Sequence, residues 1–583
     1  MDIKENKIIK NLWIAFLIVA IFWPLAFINK GIDLTDTGYY LANYANILKM
    51  PEKYGMGTFL SNYFGGLLYS VMPTHQLMFF KFLNVVFYGI SILLTFYALK
   101  KYFDKNILSF LIMIGSFSLS EYPQCVSYNT FSVVFLSLSM FMLVKWTEKH
   151  QKRYLALCGF ATGISVLFRI PNLLFGALYF AVLWYDIIAD RKKETLKDTL
   201  SMAAGGVAGI LVGLGMTVYF IGISSFSKGV GSYTNMGGSS SGSHSLIGNL
   251  KGLCYQLIKG VYEHAYFVAV SIILFSILAV LIYKYKKLSK NRFAVMSIVT
   301  IFIICIASAV LNSIKFDDHL KQTEMLAVMA FPAFIASAFY YRKKNPDLSM
   351  LSVAIFVIAA FIPIGTNNGF KHYSIALFWV LPCAILIACE LIKEYYTGEI
   401  TVFKAVVLSL CIVVTSNVLA NNVFRSTKNM CTVQYLEEPY NKLKYSPNNE
   451  VLAGVYTTEQ RCFLIDKITE FMSDSQMRSK KLLVLNRAPM FYAMLGNDNV
   501  LDASFWPDQD TYSIEKLKAK LQYAEDNNDL PVVIIYHISD TGLPILEDTE
   551  KVAYIKEFCE ERNYTVADEA SFEGEKQYTI LVP

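Results

Sequence analysis

The chain has 583 residues, of which 55% are apolar and only 17% charged, with a mean hydropathy of +0.41. That balance excludes a soluble multidomain protein and specifies a polytopic membrane protein. The net charge of +6 comes from unevenly placed Lys and Arg, and no basic stretch interleaves with aromatic residues, so a groove for nucleic acid is excluded as well.

Lys4, Lys7 and Lys10 precede an apolar run that is broken by Pro24 and followed by no small-residue cleavage site. It reads as a retained first helix, not a signal peptide. Candidate spans are 11–28, 77–99, 106–120, 129–146, 154–168, 171–188, 199–223, 264–283, 293–314, 322–340, 350–364, 373–392 and 402–420. Crossing the hydrocarbon takes about 20 mostly apolar residues. The segments 106–120, 154–168 and 350–364 are shorter, so the count is eleven to thirteen.

Orientation follows from the cations, because Lys and Arg in short loops are retained in the cytoplasm. Alternate loops carry Lys100, Lys101 and Lys105, then Lys149, Lys152 and Arg153, then Arg191, Lys192 and Lys193, then Lys286, Lys287 and Arg292, then Arg342 and Lys343. The intervening loops are poor in them. This places the N-terminus in the cytoplasm and the C-terminal part outside.

The first outer loop, 29–76, opens with NKGIDLTDTGYY and so sets Asp33 and Asp36 just beyond the first span. Residues 39–49 place Tyr40, Leu41, Tyr44, Ile47 and Leu48 at helical spacing, ended by Pro51, and residues 58–72 repeat apolar side chains about every fourth position. Both segments are expected to lie as amphipathic helices in the membrane surface. A carboxylate there suits a general base, since partial burial raises its pKa toward the working range; the bland alternative is a solvated turn.

Later outer loops supply Glu121, Tyr122, Tyr128 and Asn129, then Arg169 beside Pro171 and Asn172. Residues 224–263, with GVGSYTNMGGSSSGSHS, read as a long loop or lid. Lys315 in KFDDH and Lys371 with His372 in NNGFKHY complete the set. Arg169, Lys315 and Lys371 suit a phosphate, as a bidentate fork and as point charges, against the commoner fate of snorkelling at a helix end. Asp317, Asp318, His319 and Glu121 offer ligands for a divalent cation, although no recognised metal spacing occurs. His75 and His372 fit interfacial caps as readily as chemical groups.

Beyond residue 420 the composition changes to that of a soluble α/β domain, 421–583, following the membrane domain 1–420. LLVLN (482–486) and PVVIIYHI (531–538) read as buried strands, with helices near 513–526 and 547–562 and a closing strand at 577–582. No nucleotide fingerprint, nucleophile elbow or metal cluster occurs there, leaving a structural or acceptor-recognising role. The ten cysteines are scattered without CxxC; Cys431, Cys462 and Cys559 are the ones available to pair in an oxidising space.

Taken with this plan, Asp36-Thr37-Gly38-Tyr39-Tyr40 resembles the acidic motif of the GT-C superfamily of membrane glycosyltransferases, which use polyprenyl-phosphate-linked sugars. The chain is similar in plan to lipid A aminoarabinose transferases, protein O-mannosyltransferases and oligosaccharyltransferase catalytic subunits. In that family an Asp followed by Glu is usual; here Thr37 stands in the second place, with Asp33 as a stand-in. The resemblance implies a GT-C-like membrane domain with an extracytoplasmic α/β domain, and inverting transfer of a sugar to an envelope glycan, lipid or protein. It assigns Asp36 or Asp33 as base, Arg169 with Lys315 or Lys371 on the phosphate, and Glu121 as a second acidic residue. Tyr39, Tyr40 and His372 would complete the substrate site. A polymerase or ligase of lipid-linked glycans, a transporter or flippase, and a scaffold are the competing readings; a transporter would carry ionisable groups within its spans and repeat symmetry between halves.

Overall fold

A computed structural model describes residues 11–54, 56–238, 246–263, 334–365, 369–396, 438–507, 512–537 and 550–583, with isolated helical positions between 273 and 331 and at 430. Among the described residues, six helical segments are long and apolar enough to cross a membrane: Gln76–Leu99, Tyr128–Lys149, Ile170–Ile188, Lys192–Ser227, Pro346–Ile364 and His372–Leu391. Leu12–Phe27 and Lys105–Ser120 are shorter apolar helices. The spans expected at 293–314 and 402–420 lie outside the described residues, as do all but isolated positions of 264–283 and the first part of 322–340. The fold is that of a multi-pass helical membrane protein carrying a C-terminal α/β domain.

Glycine explains the tightest helix pair. Lys152–Phe168 packs on Lys192–Gly238 with backbone nearly touching backbone: a Cβ on Gly159 would sit 1.9 Å from the Met202 carbonyl oxygen, and one on Gly205 1.9 Å from that of Ala156. Gly163 and Gly209 continue the same seam. Small residues at four-residue spacing permit this approach, which is how helices gain dispersion contact where lipid offers no hydrophobic drive.

Two elements differ from expectation. Residues 224–238 and 246–263 are helical where a loop was expected: the Lys192–Gly238 helix runs on past a break at Gly222 (φ 78°), and Leu246–Glu263 is a further helix; 239–245 lie outside the described residues. Gly and Ser content suggested the loop, but Leu246, Leu250, Leu253 and Leu257 recur at helical spacing. The first-loop helix Asp36–Ile47 is covered by protein more fully than an amphipathic pattern suggests. Nine of its twelve residues are buried, Asn43 and Asn46 among them. It packs against Phe59–Tyr69, where a Cβ on Gly65 would meet the Tyr44 ring at 2.2 Å.

The C-terminal sheet runs β1 (Leu482–Leu485), β2 (Val532–Tyr536), β4 (Glu575–Val582), β3 (Thr565–Phe572) in spatial order, with β1 and β2 parallel and the rest antiparallel. β3 escapes the sequence reading because it is an edge strand whose charged, largely exposed residues carry little hydrophobic signal. β1 and β2 are buried on both faces, which explains their unbroken apolar runs. One face, with Leu483, Leu485, Val533 and Ile535, covers the helices Ile514–Asp526 and Glu550–Glu561. The other, with Leu482, Val484, Ile534 and Ile580, shares a core with Ile32, Leu34, Tyr40 and Leu41 of the first outer loop. Cys462 and Cys559 are free thiols, so no pairing between them occurs; Cys431 is outside the described residues.

The glycine seam gives a direct test. Gly205→Leu is expected to destabilise by at least the ~1–3 kcal/mol of overpacking, read as a lower melting temperature in detergent. Gly215→Leu, on the same helix but facing open space, is expected to leave it unchanged.

Candidate active site

The segment that leaves the first span is fixed residue by residue. Gly31 N–H donates to the Tyr456 carbonyl and Tyr456 N–H to that of Asn29, both at 2.8 Å. The buried Lys81 ammonium donates to the carbonyls of Lys30 (2.6 Å) and Gly31 (2.8 Å), and Arg461 Nη1 donates to that of Ile32 (2.6 Å). Met490 N–H then donates to the Leu34 carbonyl at 3.1 Å. At Gly38 the Met490 backbone is so close that a Cβ would lie 2.4 Å from its nitrogen.

This fixed strand gives the two aspartates different surroundings. Asp33 is buried and accepts hydrogen bonds from Thr35 N–H (Oδ1, 2.9 Å) and Thr37 N–H (Oδ2, 2.7 Å). It thereby satisfies amide donors at the start of Asp36–Ile47, where the Thr35 side chain makes no capping bond. Burial, with the Asp36 charge behind it, raises the Asp33 pKa to about 7, against the opposing pull of those amides. Asp36 stands in the first turn of the helix and is only partly buried.

From that turn an aromatic path leads to a cation. Tyr39 meets Tyr40 (ring centroids 5.8 Å) and Trp506 (5.4 Å), and Tyr40 meets Tyr128 (5.4 Å), each edge to face. The Arg169 guanidinium lies 5.3 Å from the Tyr128 ring centroid. It also contacts His372 Nε2 at 2.8 Å, while His372 Nδ1 lies 2.6 Å from the Tyr122 hydroxyl. A guanidinium has no acceptor, so Nε2 must accept; His372 is therefore neutral, and its proton sits on Nδ1 facing Tyr122.

Arg169 owes its position to chain geometry. It ends the Lys152–Phe168 helix in extended backbone (φ −161°, ψ 115°), and Pro171 opens the 3₁₀ turn that follows. Asn172 pins the corner by donating to Ser132 Oγ (2.9 Å) and the Ser165 carbonyl (3.0 Å). Tyr44 ties the first-loop helix to the neighbouring outer loop through the Val126 carbonyl at 2.9 Å.

The structure thus gathers Tyr39, Tyr40, Arg169 and His372 with Asp36 at the head of the same helix. Glu121 closes the 3₁₀ turn Ser118–Glu121 directly before Tyr122, and Lys371 immediately precedes His372. Lys315 and the KFDDH acids lie outside the described residues, and among those described no three His, Cys, Asp or Glu side chains gather as a metal site. The sequence reading passed over Lys81, Arg461 and Trp506 as site-forming groups, and named Tyr122 and Tyr128 as outer-loop polar groups without giving them a role. Lys81 was detectable: a lysine within the apolar run QLMFFKFLNVV is the kind of intramembrane charge that marks function. Arg461 and Trp506 carry no such signal, because only tertiary docking brings residues some 430 positions away to the loop.

The raised Asp33 pKa fixes a pH dependence. Below the ordinary carboxyl pKa of 3.8 Asp33 is protonated whether folded or unfolded, and its contribution to stability is fully present. As pH rises toward about 7 the unfolded chain loses this proton first, so the contribution falls and levels off above pH 7. Chemical denaturation is expected to show Asp33→Asn lacking this part of the decline between pH 4 and 7, with wild type retaining it.

No curated protein matches the chain. Among solved structures it is similar to ArnT from Cupriavidus metallidurans, crystallised with undecaprenyl phosphate, at 10% identity and a TM-score of 0.40 over 98% of this chain and 97% of that one. Residues 58–221 match the family model described as dolichyl-phosphate-mannose-protein mannosyltransferase, a stretch that contains Glu121, Tyr122, Tyr128 and Arg169. That stretch begins inside the first outer loop, ends within the Lys192–Gly238 helix just before its break at Gly222, and covers less than half of the chain.

Proposed function

We propose that the chain transfers a sugar from a polyprenyl-phosphate donor to an envelope glycan, lipid or protein at the outer membrane face, with the N-terminus in the cytoplasm and the C-terminal domain outside. The observation that carries this reading is that one short helix bears a carboxylate, Asp36, at its head and the rings of Tyr39 and Tyr40 behind it, in contact through Tyr128 with the cation Arg169. The description of the matching family names a dolichyl-phosphate sugar, which is a donor of this class.

The chemistry separates into two ends. At one, Asp36 takes the proton from an acceptor hydroxyl or amine as that atom bonds to the anomeric carbon. At the other, the bond from that carbon to the phosphate oxygen breaks and polyprenyl phosphate departs with the electron pair. Arg169 offsets the growing phosphate charge, aided by Lys371 or Lys315. Neutral His372 leaves the guanidinium's charge undiminished, and its contacts orient Arg169. Asp33, whose two oxygens are held by amides, sets the direction of the helix that presents Asp36. Single displacement on opposite faces gives inversion.

In a membrane assay with a polyprenyl-phosphate sugar, Asp36→Asn is expected to lower kcat by about 10² to 10⁴ with insertion intact. Arg169→Met is expected to lower kcat as well, through the departing phosphate. Undiminished transfer by Asp36→Asn would remove the base from this scheme; loss confined to Arg169→Met would favour a polymerase or ligase that relies on arginine.

A further inference from the structure

A cleft lies in the C-terminal domain, bounded by residues 438–445, the start of the Glu459–Met472 helix and the turn between β3 and β4. Its volume is about 630 Å³, within the range of pockets that take small ligands. Tyr445, Glu459, Gln460, Arg461, Glu573 and Glu575 are among its lining residues.

The chemistry of this lining narrows the ligand. Tyr445 offers a partly exposed ring, 42% accessible, and its phenol is hydrogen-bonded with Glu459. Around it stand carboxylates and the Gln460 amide, groups that accept from and donate to hydroxyls. Of the cations present, Lys442 pairs with Glu438 at 3.1 Å and Arg461 is buried with Nη1 on the Ile32 carbonyl; Lys444 is exposed, and the carboxylates of Glu438, Glu459, Glu573 and Glu575 outnumber the three cations. Glu573 and Glu575 add negative charge to the lining, which disfavours an anion. A polyhydroxylated ligand without negative charge satisfies all of these features.

We infer that this cleft binds an uncharged glycan, and, resting on the transferase reading above, that the glycan is part of the acceptor. Arg461 joins the two sites physically. Its side chain lines the cleft, and its Nη1 holds the carbonyl next to Asp33. A glycan seated against Arg461 therefore bears on the strand that orients Asp33 and the Asp36 helix.

Saturation-transfer NMR and calorimetry on the full-length protein in detergent test this with chitotetraose, maltotetraose and mannotetraose as neutral probes and tetragalacturonate as the anionic one. At least one neutral probe is expected to bind saturably with Kd on the order of 1 mM or tighter, and tetragalacturonate about tenfold more weakly, a difference of ~1.4 kcal/mol. Tyr445→Ala and Glu459→Gln are each expected to weaken the neutral probe by about tenfold. Asp36→Asn, which removes transfer under the reading above, is expected to leave this binding unchanged, so failure of one idea is distinguishable from failure of the other. Absence of saturable binding by every neutral probe overturns the inference, as does binding untouched by both cleft variants.

Discussion

Three successive carbonyls, those of Lys30, Gly31 and Ile32, turn into protein where the chain leaves its first helix, and cations meet them: Lys81 takes the first two and Arg461 the third. A buried carbonyl left unmet costs about 1–3 kcal/mol, and a bond from a charged donor recovers more than a neutral one does. The arrangement is mutual, since buried ammonium and guanidinium groups need acceptors as much as the carbonyls need donors. One cation comes from a membrane span and the other from the C-terminal domain. The strand carrying Asp33 is therefore held between the two parts of the molecule.

The rest of the site follows from that hold. With residues 30–34 fixed, Asp33 can turn both oxygens to amides of the next helix, and the helix then presents Asp36, Tyr39 and Tyr40 in a set direction. Met490 closes on the far side of Gly38, where any side chain would be excluded by backbone. The shared core under the sheet, with Ile32, Leu34, Tyr40 and Leu41 on one side and Leu482, Ile534 and Ile580 on the other, makes the C-terminal domain part of the site's support. This explains why a domain without catalytic motifs of its own is attached so closely to the first outer loop.

Much of this was legible in the sequence because it depends on local pattern. Long apolar runs marked the spans, short apolar runs marked β1 and β2, and helical spacing marked Asp36–Ile47 and Phe59–Tyr69. Burial was not legible: Asn43 and Asn46 give the first-loop helix a polar face that suggests water, yet their side-chain amides donate to the Tyr39 and Ala42 carbonyls inside protein. The division of labour between Asp33 and Asp36 was hidden for a similar reason, since it depends on which amides fold back onto which oxygen. Arg169 could be singled out by its flanks, but not its contact with His372, which lies 203 positions away.

The central claim is that Lys81 and Arg461 hold the strand that orients the acidic loop, and hydrogen exchange at the Thr35 and Thr37 amides reads it most directly. In the wild-type protein both amides are expected to exchange slowly, being bonded to Asp33 in a buried strand. In Lys81→Met, which keeps the length of the side chain and removes its donors, they are expected to exchange faster while amides of the Tyr128–Lys149 span stay protected. Unchanged protection at Thr35 and Thr37 in that variant would contradict the account.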